Sequence, residues 1–142
     1  MKLKGIDNEQ EFDWSRTSTD YSIHRTGYPK SLFEVLAALG VGLRGQRIRD
    51  LGTGTGALAR AFARSGAKVT AIDISASQIS AARKLAEQEH LDIEFFAGAA
   101  ENVDFDDCSF EVVTSGQAWI YFNSALVIPK YCGYSCAMAI LL

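Results

Sequence analysis

The chain has 142 residues, of which 48% are apolar and 22% are charged, and its formal net charge is −3. This length and composition are ordinary for one folded globular domain. The negative charge gives no general attraction to nucleic acid or to an anionic membrane, so we expect neither as a partner. The polar first residues do not resemble a secretory signal, and no apolar run reaches the roughly 18 residues of a membrane span. We therefore expect a cytoplasmic protein.

The three cysteines, Cys108, Cys132 and Cys136, are predicted to be reduced thiols. An odd count without secretory features is typical of a reducing compartment. Cys132 and Cys136 are close in sequence, but no second pair completes the four ligands of a structural zinc site. We expect no metal.

The first part of the chain predicts an arm followed by a helix. Residues 1–29 are polar and are expected to form an irregular arm or a short helix. Pro29 suits a first helical turn, and apolar residues follow at helical spacing. Gly40 suits the C-terminal cap of that helix.

From residue 46 onward, short apolar strands alternate with helical segments. Strands are predicted at residues 48–51, 68–72, 92–97 and 110–114, and helices at residues 57–65 and 75–89. The second helix opens on a capping box, in which Ser75 accepts from the backbone and Gln78 reaches back. Such alternation implies parallel βαβ units with right-handed crossovers. The predicted fold class is α/β, with a doubly wound, mostly parallel sheet.

A glycine-rich turn, GTGTG at residues 52–56, joins the first strand to a helix. Glycines permit a tight turn, and the helix N-terminus presents free N–H groups to a ligand. Together with Ala57 the turn also satisfies the dinucleotide pattern G-x-G-x-x-G/A, so nicotinamide or flavin binding stays open on this motif alone.

Two acids favour a cationic ligand over a dinucleotide. Asp50 ends the first strand just before the turn, where a carboxylate would repel a pyrophosphate and attract an ammonium or a sulfonium. A strand-end Asp that only caps the turn is the structural alternative. Asp73 ends the second strand, where an acid can accept from ribose hydroxyls.

Four segments in order resemble class I S-adenosylmethionine-dependent methyltransferases, and in particular the small-molecule branch of ubiquinone and menaquinone biosynthesis. The segments are DLGTGTG at 50–56, VTAIDIS at 69–75, GAAENVDF at 98–105 and SFEVVT at 109–114. The resemblance covers about residues 21–122. It implies S-adenosylmethionine as the cofactor and a small molecule as the methyl acceptor.

The resemblance also implies the binding residues. Asp50 and the turn, with Gly52, Thr53, Gly54 and Gly56, would hold the methionine part. Asp73 would bind the ribose, while Ile74, Ala100 and Glu101 would meet the adenine. Ser115 would border the reacting methyl group, and Tyr21 and Arg25 of an N-terminal lid would lie near the cofactor's carboxylate. His24 and His90 are interpreted as ordinary surface histidines, and no catalytic residue is assigned.

Three positions depart from the family's pattern. Arg49 stands inside the first strand, where a central parallel strand is normally apolar, so it must reach an acid or the surface. Ala99 replaces an acid that relatives use for the adenine amino group. Ile120 stands where relatives often carry a histidine.

The last segment, residues 123–142, does not resemble the family, whose fold continues with a helix and three more strands. Pro129 is expected to interrupt any helix there, and the missing strands would leave the fourth strand as an open edge.

We therefore divide the chain into an arm (1–29), a cofactor-binding domain (30–122) and an atypical apolar tail (123–142). Either the tail folds back and covers this edge within one chain, or another copy pairs with it, and of the two we expect a homodimer. An inactive, self-associating domain and a nucleotide-dependent oxidoreductase remain the alternatives to a methyltransferase.

Overall fold

The computed structural model describes residues 27–102, 109–132 and 135–141. In chain order the elements are α1 (Lys30–Ala38), β1 (Arg47–Leu51), α2 (Ala57–Arg64), β2 (Lys68–Asp73), α3 (Ala76–Gln88), β3 (Ile93–Ala97), β4 (Phe110–Gly116), a 3-10 helix (Trp119–Tyr121), α4 (Ser124–Cys132) and β5 (Ser135–Leu141). The strands and helices predicted up to β4 are all present, with small differences at their ends.

The five strands form one sheet in the order β3-β2-β1-β4-β5, and every pairing is parallel. Asp50 of β1 lies opposite Ala71 of β2 and opposite Thr114 of β4, so β1 is at the centre. Successive strands first extend the sheet from β1 towards β3 and then continue on its other side with β4. This parallel order with intervening helices confirms the doubly wound α/β class.

Helices cover both faces of the sheet. On one face, α1, α2 and α3 pack through Leu36, Leu58, Phe62 and Ile79 onto the strands. Phe62 is almost fully buried, and burying a side chain of this size contributes about 1.5–3 kcal/mol. On the other face, Val127 of α4 packs in a second cluster with residues of β1, β2 and β4. Across the described ranges, no helix has both the length and the apolar character that crossing a bilayer requires.

The starts of the helices follow local residue chemistry. Pro29 occupies the N-cap position of α1 with an extended backbone, so the helix begins one residue later than a proline in its first turn would place it. Gly56 precedes α2 in the left-handed region, at φ 79°. Ser75 caps α3, since its Oγ accepts from the backbone N–H of Gln78 at 3.4 Å, a long distance for such a bond.

The last residues correct the expectation of an open edge at β4. α4 runs through Pro129, and β5 pairs with β4 along its length, from Phe110 opposite Ser135 to Gly116 opposite Leu141. A proline inside a helix removes one backbone hydrogen bond, but here the helix continues past it. The prediction that Pro129 prevents a helix is wrong, and β4 is not an open edge, because the tail covers it, which was the alternative to pairing with another chain. This segment is largely apolar, with Lys130 as its one charged residue, so its sequence lacks the periodicity that separates helix from strand.

Arg49 is buried within β1. Of the two expectations for it, an acid partner or the surface, the second is wrong. Its guanidinium carbon lies 5.1 Å from the ring centroid of Phe110 and 5.9 Å from that of Phe96. A cation over an aromatic ring is attracted by the ring quadrupole, by about 0.5–2 kcal/mol. The two rings therefore offset part of the cost of burying this charge.

Candidate functional site

A cavity of about 780 Å³ lies at the C-terminal ends of β1, β2 and β4, a size that suits a small molecule or cofactor. Ligands of open α/β sheets bind at this edge, where the strand order reverses. Eight of the predicted residues line the cavity together: Asp50, Gly52, Thr53, Gly54, Asp73, Ile74, Ala100 and Glu101. Gly56 and Ser115 do not line it.

Two glycines of the turn line the cavity, and a side chain would be excluded from each for a different reason. Gly52 has φ 64°, and a Cβ on it would clash with Ala118 and touch the ring of Phe122, so only glycine fits this close approach. Gly54 has φ 56°, yet a Cβ on it would meet nothing within 4 Å. Because Gly54 lines the cavity, that open space is space for a ligand.

Asp50 is fully buried at the end of β1, and both of its carboxylate oxygens are hydrogen-bonded. The hydroxyl of Thr53 donates to Oδ2 at 2.6 Å, and the hydroxyl of Thr114 donates to Oδ1 at 2.8 Å. Burial raises the pKa of Asp50 to about 6, against the two hydrogen bonds, and the nearby charge of Asp73 adds to the rise. The negative charge of Asp50 is thus under-compensated, and a cationic ligand group in the cavity would stabilise it.

Asp73 connects the glycine turn to the start of α3. Its Oδ2 accepts from the backbone N–H of Gly54 at 2.8 Å, and its Oδ1 accepts from the N–H of Ser75 at 2.9 Å. Burial raises the pKa of Asp73, while these two hydrogen bonds lower it. The predicted capping box is therefore half wrong, because Asp73 and not the side chain of Gln78 satisfies the N–H of Ser75.

One side of the cavity is lined by Ile74, which follows β2, and by the loop at 98–101, which follows β3. Ile74 is 58% exposed, so its side chain offers an apolar surface to a flat ring. Ala100 is buried, and Glu101 Oε1 accepts from the backbone N–H of Asn123 at 3.1 Å. Ala99 also lines the cavity, and its methyl group gives no acceptor for an amino group.

β4 ends at Gly116, two residues beyond the end of the predicted strand. Ser115 is buried away from the cavity, and Gly116 and Gln117 line it instead. A Cβ on Gly116 would clash with the side chains of Tyr28 and Leu58. Gln117 has φ 58°, an uncommon backbone conformation for a residue that is not glycine. Neither residue was predicted from the sequence, although Ser115-Gly116 is a dipeptide that marks turns.

Aromatic residues form the remaining wall. Tyr28 lines the cavity from the segment before α1, and Tyr121 and Phe122 line it from the segment after β4. Tyr21, Arg25 and His24 lie outside the described residues. His90 follows the end of α3 with φ 55° and does not line the cavity. Among the residues that the structure describes, no group of three or more potential metal ligands is present.

Residues 48–128, more than half of the chain, match the protein family described as a methyltransferase domain. A demethylmenaquinone methyltransferase of Chlorobaculum tepidum is 46% identical over 76 residues, which are 53% of this chain and 30% of the relative. A ubiquinone biosynthesis O-methyltransferase of Rhodopseudomonas palustris is 33% identical over 96 residues, 68% of this chain and 36% of the relative. The chain spans about a third of the length of these relatives.

Solved structures share the fold. A SAM-dependent methyltransferase from Aquifex aeolicus superposes with a TM-score of 0.73 at 17% identity, over 92% of this chain and 72% of that one. The [4+2]-cyclase SpnF superposes with a TM-score of 0.66 at 23% identity, over 77% of this chain and 43% of that one. Since one of these is a cyclase, the fold alone does not define the reaction. The family match over residues 48–128 is the stronger finding, and it shows that this chain belongs to the methyltransferase-domain family, as its motifs predict.

Proposed function

We propose that the chain is the S-adenosylmethionine-binding part of a methyltransferase that acts on a small molecule. The observation that carries the proposal is the pair of acids, Asp50 and Asp73, on the two sides of the glycine turn in one cavity. Burial raises the pKa of both, so the cavity favours a ligand that brings a cation to Asp50 and hydroxyl donors to Asp73.

The residues present fit such a ligand. Gly54 leaves open space on the cavity floor, Asp73 has lone pairs for ribose hydroxyls, and Ile74 offers an apolar surface to the base. Asp50 would attract the ammonium of the methionine part, and Tyr21 and Arg25 remain the proposed partners of its carboxylate. When bound, S-adenosylmethionine supplies a methyl group on a cationic sulfur. Gly116 takes the place proposed for Ser115, because it borders the cavity at the end of β4.

The chain's own contribution to methyl transfer would be alignment and exclusion of water. Transfer requires the acceptor atom in line with the bond between sulfur and methyl carbon. Holding two reactants in that alignment removes a large part of the activation barrier of a bimolecular reaction. Tyr28, Tyr121 and Phe122 line the cavity and would shield it from solvent on the side of Gly116. These aromatic walls and the quinone-pathway relatives support a flat ring compound as the acceptor, methylated on oxygen or carbon.

Calorimetry with S-adenosylhomocysteine, S-adenosylmethionine and NAD tests the cofactor. We expect S-adenosylhomocysteine to bind more tightly than NAD, because the charge of Asp50 disfavours a pyrophosphate and favours an ammonium. Tighter binding of NAD would overturn the proposal in favour of a nucleotide-dependent oxidoreductase. Binding without methyl transfer to any ring compound would support the alternative of an inactive domain that mainly self-associates.

The oligomeric state is a separate proposal. Of the described strands, β5 is the outermost on its side of the sheet, and its sequence, SCAMAIL, is apolar. An apolar strand with unpaired backbone groups along one edge favours pairing with an identical chain. We therefore propose a homodimer through β5, in place of β4.

The location of the protein and the extent of its cofactor-binding domain are also proposals. The net charge of −3 and the three cysteines support a cytoplasmic protein without a nucleic-acid or membrane partner. Residues 30–122 would bind the cofactor.

A further inference from the structure

One buried polar atom in the wall of the cavity has no partner in the described structure. Gln78 is 4% exposed, and its Oε1 accepts no hydrogen bond from the described residues. Buried polar atoms in folded proteins are almost always hydrogen-bonded, so an exception calls for a reason. Gln78 also lines the cavity, where a ligand could supply the missing donor.

The position of Gln78 on α3 indicates which part of a ligand it would meet. Its backbone N–H donates to Ser75 Oγ, which places it close to Asp73 and the start of the helix. One turn further along, Ala82 faces the glycine turn, since a Cβ on Gly56 would lie 3.3 Å from the Cβ of Ala82. Residues four apart share a helix face. Gln78 therefore shares with Ala82 the face of α3 that lies towards the glycine turn, and of the two it is the nearer to Asp73 along the chain.

A carboxylate alone cannot satisfy a sugar diol. Each oxygen of Asp73 already accepts one backbone N–H, from Gly54 or from Ser75, and an ionised carboxylate has no proton to donate. Two neighbouring hydroxyl groups present two donors and also two oxygen acceptors. The amide of Gln78 adds one acceptor and two donors beside Asp73.

We propose that Gln78 is a specificity-determining residue that reads the ribose diol together with Asp73. The inference rests on the proposed function and extends it to a preference for ribose over deoxyribose. One hydroxyl donates to Oε1 of Gln78, while the amide group donates to a hydroxyl oxygen. In the ligand-free chain the same oxygen is buried without a donor, so Gln78 lowers stability and raises affinity.

The first experiment compares Gln78→Met, which keeps the side-chain length but removes the amide, with the wild type and with Gln88→Met on the exposed end of α3. We expect Gln78→Met to raise the melting temperature of the ligand-free chain by a few degrees, because it removes a buried unsatisfied atom. In calorimetry it should weaken binding of S-adenosylhomocysteine about 3- to 10-fold. Gln88→Met should change neither. Gln78→Leu serves as a second apolar variant if Gln78→Met does not fold.

The second experiment varies the ligand. The wild type should bind the 2′-deoxy or the 3′-deoxy form of S-adenosylhomocysteine more weakly than the parent, and Gln78→Met should lose part of that discrimination for one of the two. Unchanged affinity in Gln78→Met, or undiminished discrimination against both deoxy forms, overturns the inference and leaves the cofactor assignment intact. Failure of the wild type to bind S-adenosylhomocysteine instead removes the proposed function, and the inference with it.

Discussion

Replacing Asp50 by Asn should stabilise the ligand-free chain at neutral pH. In the unfolded chain this carboxyl titrates near 3.8, and in the folded chain burial raises its pKa to about 6. Between these pH values the folded state holds the proton more tightly, so stability falls as the pH rises, and the full penalty applies above pH 6. At about 1.4 kcal/mol for each pKa unit, the penalty is about 3 kcal/mol. Asn carries no charge, and the hydroxyls of Thr53 and Thr114 can rotate to meet its amide.

The same substitution should weaken binding of S-adenosylhomocysteine. Loss of a charged partner for the ligand's ammonium costs about 1–3 kcal/mol, or about 5- to 150-fold in affinity. For the wild type, affinity should also fall as the pH drops below 6, because Asp50 then becomes protonated and loses its charge. Stability and affinity thus respond to one substitution in opposite directions.

Thermal melts at pH 4, 5, 6 and 7.5, combined with calorimetry at pH 7.5, test both effects. We expect Asp50→Asn to melt about 10 °C above the wild type at pH 7.5, with the difference shrinking towards pH 4. The matched control is Asp92→Asn, at an exposed position, which should leave melting and affinity unchanged. The reasoning is refuted if Asp50→Asn melts below the wild type at pH 7.5, or if both proteins show the same pH dependence between 4 and 6.

Three further predictions concern the turn, the cap and the edge. Asp73→Asn should reduce both affinity for S-adenosylhomocysteine and melting temperature, because an amide has only one acceptor oxygen for the two backbone N–H groups of Gly54 and Ser75, which, unlike the hydroxyls around Asp50, cannot rotate. In contrast, Ser75→Ala should lower only stability, by about 1 kcal/mol. Equal losses of affinity in the two variants, measured by calorimetry, would contradict this division. Gly52→Ala should melt below Gly54→Ala because only its Cβ clashes, while Gly54→Ala should bind more weakly because its Cβ enters the cavity. Light scattering after size-exclusion chromatography should give a dimer mass at tens of micromolar, and a monomer mass would refute pairing through β5.

The sequence predicted the first part of the fold because local chemistry and tertiary structure agree there. The predicted strands at residues 68–72 and 110–114 are rich in β-branched residues, and glycines flank the helix between β1 and β2. The segment from Ser124 to Leu141 was misinterpreted because its apolar residues show neither a helical nor a strand period. Only the pairing of β5 with β4, a contact between distant parts of the chain, distinguishes its two halves.

The candidate site was predictable where a residue's position along the chain decides its environment. Asp50 and Asp73 end parallel strands, and such ends meet at one edge of the sheet. The direction in which a side chain points was harder to predict from the sequence. The sequence did not predict that Ser115 lies outside the cavity lining. It also did not predict that Asp73, and not the side chain of Gln78, accepts from the backbone N–H of Ser75. These outcomes depend on packing between elements, which no short sequence window contains.

The pairing of β1 with β4 has a consequence for the order in which the molecule assembles during synthesis. Asp50 and Thr114, which share a hydrogen bond, are separated by 64 positions in the chain. Closing a loop of that length carries an entropic cost, so β1 and β2 can pair well before β4 arrives. Until then, Asp50 has the hydroxyl of Thr53 but not that of Thr114. A nascent chain that has formed only β1 to β3 therefore holds a half-bonded acid at the centre of its future binding site, and ligand capture must await the last strands.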